Sequence, residues 1–378
     1  MQRALVLGGG FGGIATAVAL RGRLDPADEV VLVERRSQFV MGLRKNWGLV
    51  GASTLAAGTR QLADLADRGI EVVSGEIGAI RADAREVEVD GRSIGADAVV
   101  VALGAERDPH RIPGFREHAI DVYDAAANAA GAAALEAFAG GRVVVGIFGT
   151  PYPCPPAPFE LALLVAELIE TRGVPGGVFV FSPQPGSLPI LGESACAAFD
   201  GRLAAEGITF RPRTVATAVE AGAVVAADTR IPFDLLLGVP PHRVPQVVVD
   251  AGLAEPGGWV RTDPRTLETG YAAVYAIGDV TAIPIGTGQA LPKAGVFAHA
   301  EGEVVAARIA STFAGDAATA TFDGRGMCFL ETGRGSATMV HGDFYASPPD
   351  VRLADSGPGH LAAKHAFETD RLTAWFGG

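Results

Sequence analysis

The sequence predicts an α/β protein with two parallel-sheet units of the nucleotide-binding kind and a small C-terminal region. Three observations predict it. A glycine-rich turn between a buried strand and an apolar helix opens the chain. The same strand–turn–helix order returns near residue 142, and a strand–glycine–acid block lies at Val274-Tyr275-Ala276-Ile277-Gly278-Asp279-Val280. The 378 residues are 48% hydrophobic, enough for large packed cores and for two to three domains. A formal charge of −12 excludes a phosphate-backbone binder and disfavours anionic membrane surfaces, so no nucleic-acid partner is expected. No apolar run reaches the ~18 residues of a membrane span, and no secretory signal precedes the first strand. Three cysteines without a C-x-x-C pair argue against a disulfide scaffold or structural zinc. No metal site is expected, and a reduced, cytoplasmic setting fits best, with at most peripheral contact to a membrane.

The first unit starts with Ala4-Leu5-Val6-Leu7, followed by Gly8-Gly9-Gly10-Phe11-Gly12-Gly13 and an apolar helix from Ile14 to Leu20. Gly8, Gly10 and Gly13 fill G-x-G-x-x-G, for the tight turn, the approach of a pyrophosphate and helix–strand packing respectively. The helix N-terminus adds free N–H groups and a favourable dipole for an anion. A second strand, Val30-Val31-Leu32-Val33, ends in Glu34, placed to take ribose hydroxyls. Val87 to Ile94 alternates around Asp90-Gly91, a hairpin signal, and leads into a buried strand ending at Ala102-Leu103-Gly104.

Taken in order, these blocks and Gly278-Asp279 resemble the flavoproteins with two Rossmann-like dinucleotide-binding domains, the glutathione-reductase-like arrangement. That resemblance implies FAD along Gly8, Gly10, Phe11, Gly12, Gly13, Glu34, Arg35, Ile77, Ala102, Leu103, Gly104, Gly278 and Asp279. It also implies a division into residues 1–110 and 236–320 as one FAD domain, 111–235 as an inserted nucleotide-type domain, and 321–378 as a cap.

The second unit runs from Arg142 through Gly149, and Val178-Phe179-Val180-Phe181 closes it. Its turn carries five prolines between residues 151 and 158 where a second G-x-G-x-x-G would stand. Each proline removes a backbone donor and stiffens a turn that should wrap a pyrophosphate, so this unit is expected to bind no nicotinamide cofactor. The turn instead holds Cys154, just before an expected helix from Phe159 to Thr171. A thiolate there is favoured by the helix terminus; the alternative is a small buried apolar residue. Cys328 lies on an expected strand, where a core thiol and a reactive one are equally consistent. Cys196 shares an apolar helical face with Phe199 and Leu203 and reads as core.

The segment Cys154-Pro155-Pro156-Ala157-Pro158-Phe159-Glu160 resembles the flavocytochrome c sulfide dehydrogenase and sulfide:quinone oxidoreductase family. So do Val239 to Pro245, Leu291-Pro292-Lys293-Ala294-Gly295 and Lys364-His365-Ala366-Phe367-Glu368. The resemblance implies a redox disulfide between Cys154 and Cys328 beside the flavin and a proton carrier at Glu160. It also implies Pro292 and Lys293 at the flavin pyrimidine edge. Sulfide or another small sulfur nucleophile is then the substrate, and a quinone or cytochrome the electron acceptor. Residues 1–153 contain no cysteine, so FAD is expected to be non-covalent, and the third catalytic cysteine of many relatives is missing. The chain stops without the longer C-terminal extension of membrane-bound members, and Leu361 to Phe376 is expected to pack as a core helix. His242 reads as a polar loop residue, His299 as packing, and Arg44-Lys45-Asn46 as phosphate contact or surface. A type II NADH dehydrogenase-like enzyme and a non-catalytic flavin protein remain rival readings; a homodimer is compatible with all of them.

Overall fold

The computed structural model describes residues 1–227 and 229–377. Its first sheet has five parallel strands in the order Val274–Ala276, Ala98–Val101, Arg3–Leu7, Glu29–Glu34, Glu71–Ser74. Ala4 through Leu7 have no solvent exposure, as both faces of a covered parallel sheet require. The helices Phe11–Arg21 and Gly295–Ala314 pack on one another so closely that a Cβ on Gly302 would lie 2.6 Å from the Thr16 hydroxyl. The expected hairpin is present as Glu86–Val89 and Arg92–Gly95, with Asp90 and Gly91 both at positive φ, the pairing that a two-residue turn needs.

The second sheet is also parallel, in the order Ile120–Asp121, Leu235–Val239, Gly141–Ile147, Gly176–Phe181, Thr209–Arg211. Leu235–Val239 thus belongs wholly to this sheet, so the 235/236 boundary drawn from sequence cuts through a strand. The helix of this unit, Ala157–Thr171, begins two residues earlier than expected, with Pro156 at its N-cap and Pro158 in its first turn, where a missing N–H costs nothing.

A third sheet, antiparallel, has Ser336–Asp343 at its centre, paired with Arg325–Gly333 on one side and Asp350–Leu353 on the other, and the helix Pro358–Phe376 follows. That helix buries Phe367, Leu372 and Trp375. Trp375 stands edge-on to Phe11 and Phe39 at 5.2 and 5.6 Å between ring centroids, which ties the cap to the first unit. No described helix is long and apolar enough to cross a membrane. Among the described residues, only Met1 and Val215 are exposed large hydrophobics.

Candidate active site

The glycine turn forms one wall of a long groove. Gly8 is at φ +107°, and a Cβ there would meet the Ala102 carbonyl oxygen at 2.4 Å; on Gly13 it would meet the Gly8 oxygen at 1.8 Å. Those two glycines are required by packing. At Gly10 and Gly104 a Cβ would meet nothing within 4 Å, so the backbone there faces open space. Two cavities, of about 290 and 490 Å³, share Gly10, Ala102, Gly104 and Asp279 and make up the groove. The larger is lined by Gly8, Glu34, Arg35, Ile77 and Leu103; the smaller by Phe11, Gly12, Gly278, Cys154, Glu160 and Cys328.

The groove fits a dinucleotide. The Asp279 Oδ1 atom is buried without a hydrogen-bond partner, and burial raises the Asp279 carboxyl above its usual range, offset in part by Lys293. A hydroxyl donor in the groove would satisfy that oxygen. Glu34 is already engaged: Oε2 accepts the Gly9 N–H at 2.8 Å, and Arg36 pairs with it at 2.9 Å. Burial pushes its carboxyl up, but Arg36 and the backbone donors outweigh that, and the net shift is downward. Arg35 pairs with Glu76 at the exposed rim, 3.2 Å away.

Lys293 departs from expectation. Its ammonium donates to the carbonyls of Asp279 and Thr281 at 2.6 and 2.8 Å and sits 3.5 Å over the Trp259 ring. Burial lowers it to about 8, with Asp279 and Glu301 opposing. The side chain lines neither cavity of the groove, so it braces the Gly278–Thr281 turn; Pro292 likewise lines a separate small cavity. The backbone of Lys293 reaches the other turn instead, where its carbonyl accepts the Cys154 N–H at 2.6 Å.

Cys154 is held at φ +51°, a conformation rare for a residue with a side chain. Besides the bond to Lys293, its carbonyl accepts the Ala157 N–H at 2.9 Å, and the Tyr123 hydroxyl donates to the neighbouring Pro153 carbonyl at 2.6 Å. The turn delivers the thiol to Cys328, which sits opposite Val340 on the strand Arg325–Gly333. The two are free thiols on the wall of one cavity. The neighbouring Cys328 thiol, then burial, then the nearby Glu160 carboxylate, push the Cys154 thiol well up, against the pull of Lys364. The lowered value expected from a helix N-terminus is therefore wrong: the helix starts only at Ala157, and a partner thiol in a dry site outweighs its dipole. Cys196 packs at 7% exposure with Phe199 and Leu203, as read from the sequence.

Glu160 is buried beside the pair. Its Oε1 accepts from Lys364 Nζ at 2.8 Å and Asn46 Nδ2 at 2.9 Å, and its Oε2 accepts the Glu331 N–H at 2.8 Å. Lys364 has no exposure and also donates to Glu331 Oε1 at 2.7 Å, which Trp47 Nε1 bonds as well. Burial pulls the Lys364 ammonium down, yet the two carboxylates prevail and raise it.

Residues 2–151 match the family described as pyridine nucleotide-disulphide oxidoreductase, and the match ends inside the proline turn. The mitochondrial sulfide:quinone oxidoreductase of Mus musculus is 24% identical over 364 residues, covering 91% of this chain and 78% of that protein. The flavoprotein chain of a flavocytochrome c sulfide dehydrogenase from Chlorobaculum thiosulfatiphilum is 54% identical over 39 residues, 10% of this chain and 79% of that sequence. Among solved structures, the sulfide:quinone oxidoreductase of Aquifex aeolicus superposes with a TM-score of 0.90 at 22% identity, covering 100% of this chain and 92% of that one. The chain belongs to the pyridine nucleotide-disulphide oxidoreductases.

As a member of that family it is an FAD-dependent oxidoreductase, and the groove is where FAD fits. The resemblance implied Cys154, Cys328 and Glu160 near the flavin but no role for Lys364, Glu331 or Trp47, and Asn46, read with its neighbours as phosphate contact or surface, instead holds Glu160. One signal was available for Lys364, which shares the helical face of Phe367 and Trp375 and so is a lysine on an apolar stripe. His242 is buried, not a loop residue in water. Its Nδ1–H donates to the Pro240 carbonyl at 2.9 Å, and its ring is edge-on to Tyr123. Arg44 pairs with Glu368, not with a phosphate, and Lys45 donates to the Tyr123 carbonyl at 2.7 Å while lining the groove. Burial lowers Lys45 to about 8. His299 lies on the helix as expected, tilted over Trp375.

Proposed function

We propose that this oxidoreductase oxidises sulfide, or another small sulfur nucleophile, through a Cys154–Cys328 disulfide and delivers the electrons by way of FAD to a quinone or a cytochrome. The observation that carries this reading is the meeting of two thiols, remote in sequence, on the wall of the FAD groove. The proline turn supports it from the other side, because five of its positions have no N–H to offer the phosphates of a nicotinamide nucleotide.

Bound in the groove, FAD supplies a two-electron sink. The Gly8–Gly13 turn and the helix behind it would hold the pyrophosphate, and Asp279 would accept from a ribityl hydroxyl. The free thiols are the reduced state of the pair; in the oxidised state a sulfur nucleophile opens the disulfide by exchange and leaves a persulfide on one cysteine. The raised Cys154 thiol takes up a proton readily as it is released. Glu160, fixed by Lys364, Asn46 and the Glu331 amide, stands as the nearest buried carboxylate for moving that proton.

For the acceptor, Phe11, Phe329 and Phe367 give the groove an apolar wall, with Phe11 and Phe367 stacked at 6.4 Å and Phe329 edge-on to Phe367. That wall suits a quinone ring better than a protein-bound haem.

An anaerobic titration of the FAD-loaded chain tests the proposal. Sulfide should bleach the flavin absorbance and NADH should not. Prompt bleaching by NADH with no response to sulfide would move the protein to the NADH dehydrogenase-like reading.

A further inference from the structure

Behind the wall of the groove lies a buried acid that the sulfur chemistry does not use. Glu301, on the helix Gly295–Ala314, has 1% exposure, and its Oε2 accepts the Gly278 N–H at 2.6 Å. That is its one hydrogen bond among the described residues, and no ammonium or guanidinium of theirs lies within ion-pair distance. Gly278 and its neighbour Asp279 both line the groove, so a single peptide N–H separates Glu301 from the space where FAD fits. Asp279 is a second buried carboxylate, and Lys293 is the cation near the pair; its ammonium donates to the carbonyls of Asp279 and Thr281 and to neither acid. From the other sides, Tyr345 faces Glu301 from the loop before the strand Asp350–Leu353. The helix Phe11–Arg21 brings Gly12 and Thr16, which do not titrate, against Gly302 beside it. Arg308, further along the same helix, is paired with Glu268.

A buried carboxylate without a counter-ion favours its neutral form. Burial raises Glu301 to about 7; the Gly278 N–H opposes the rise, Asp279 adds to it and Lys293 opposes it. With both acids ionised, two negative charges stand against the one positive charge of Lys293. Two electrons that enter the groove with fewer than two protons add to the excess, and a buried site screens that repulsion weakly.

We propose that Glu301 is a redox-linked proton site: reduction of the FAD held in the groove draws a proton onto this carboxylate, and that proton in turn raises the affinity of the FAD for electrons. The coupling is reciprocal by linkage. It rests on FAD binding and not on sulfide as the electron donor. The step balances. The two electrons come from the reductant and stay on the cofactor, and a proton from solvent forms an O–H bond at Glu301 Oε1, leaving Oε2 to keep the Gly278 N–H. No bond to carbon or sulfur changes at Glu301, and no other co-reactant is needed.

The test is the midpoint potential of the FAD-loaded chain, titrated anaerobically with dithionite and redox dyes at pH values on both sides of 7. Glu301→Gln keeps an acceptor for the Gly278 N–H but carries no charge at any pH. Wild type and variant should share one potential on the acid side, where Glu301 is protonated in both redox states. As pH rises through about 7 the wild type should fall below the variant. The gap should level off at about a tenfold change in the two-electron reduction constant, or ~30 mV. In reduced-minus-oxidised infrared spectra near neutral pH, the wild type should gain a protonated-carboxyl C=O band that Glu301→Gln lacks. If Glu301→Gln does not retain FAD, Lys293→Met carries the comparison. Loss of that ammonium raises the Glu301 carboxyl further, so the pH range over which the band appears on reduction should move up. Parallel potential–pH curves for wild type and Glu301→Gln, whether coincident or offset by a constant amount, would overturn the inference and leave Glu301 a brace for the turn. So would the absence of the band in wild type, or an unmoved range in Lys293→Met. A chain that shows the pH step yet is not reduced by sulfide keeps this inference and loses the sulfide-oxidising reading.

Discussion

Gly8–Gly13 and Gly149–Glu160 occupy the same place in two copies of one strand–turn–helix design, yet they are chemically opposite. In the first turn, backbone faces open space at Gly10, and the groove beside it carries an unsatisfied Asp279 oxygen. In the second, five positions are proline, and four of the other amides are used internally: Cys154 to Lys293, Ala157 to Cys154, Phe159 and Glu160 to Pro156. A nucleotide turn works by leaving donors free, so removing five of them with proline and tying off four more converts a phosphate cradle into a rigid mount for one thiol. The fold is kept for its ability to bring a loop to the end of a parallel sheet.

If the two turns have these separate roles, they should break separately. The largest effect is expected from Cys154→Ser or Cys328→Ser: sulfide-driven flavin bleaching is abolished, while dithionite still bleaches the flavin and the FAD content after desalting is unchanged. Gly8→Val should do the reverse, since its Cβ would collide with the Ala102 carbonyl at 2.4 Å. The purified protein should then lose FAD, read from the flavin absorbance against protein concentration, whether or not the cysteine pair is intact. Loss of FAD in the cysteine variants would show that the proline turn helps to bind the nucleotide after all.

The glycine turn was legible in the sequence because its constraints are local: tight turn, close approach and helix packing each ask for a glycine at a fixed spacing. Cys154 was legible for a similar reason, since prolines on both sides mark a turn that cannot bind phosphate. Its ionisation was misread, because the thiol answers to Cys328 and to burial, and neither is encoded near residue 154. Lys293 was misplaced for the same kind of reason, its ammonium being captured by carbonyls of a turn that the resemblance alone could not orient. The cluster of Glu160, Glu331 and Lys364 joins the second unit, the third sheet and the C-terminal helix, a juxtaposition that exists only in three dimensions.

That cluster gives the next effect in size. Lys364→Met leaves Glu160 and Glu331 facing each other without a cation in a site of no exposure, and removing one partner of a buried ionic set costs about 3–5 kcal/mol. Urea unfolding of the FAD-loaded protein at neutral pH should show the loss as a lower midpoint with an unchanged slope. A raised lysine contributes stability below its ordinary value of about 10.4, and that contribution disappears as pH climbs through the higher folded value. Wild type and variant should therefore converge only on the alkaline side. A variant within about 0.5 kcal/mol of wild type at neutral pH would mean that the ion set contributes nothing net.

The smallest effect belongs to His242, on the strand that follows Pro240 and Pro241 and pairs with Glu106–Arg107. Burial, with Arg107, Lys45 and Lys293 adding to it and the Pro240 carbonyl opposing, lowers its imidazole to about 4. A group that the fold keeps neutral contributes stability above its unfolded value of about 6.5; the contribution declines as pH falls below that and is gone once pH passes about 4. The span corresponds to on the order of 3 kcal/mol, lost between those two pH values and not at alkaline pH. His242→Asn keeps a donor for the Pro240 carbonyl but cannot take up a proton, so the difference between wild type and variant isolates this one titration from the carboxylates that also protonate in that range. The variant should lose less stability between about pH 6.5 and 4 than wild type does. Parallel acid curves would mean that His242 reaches solvent when protonated, and that the wall it forms with Tyr123 beside Cys154 opens at low pH.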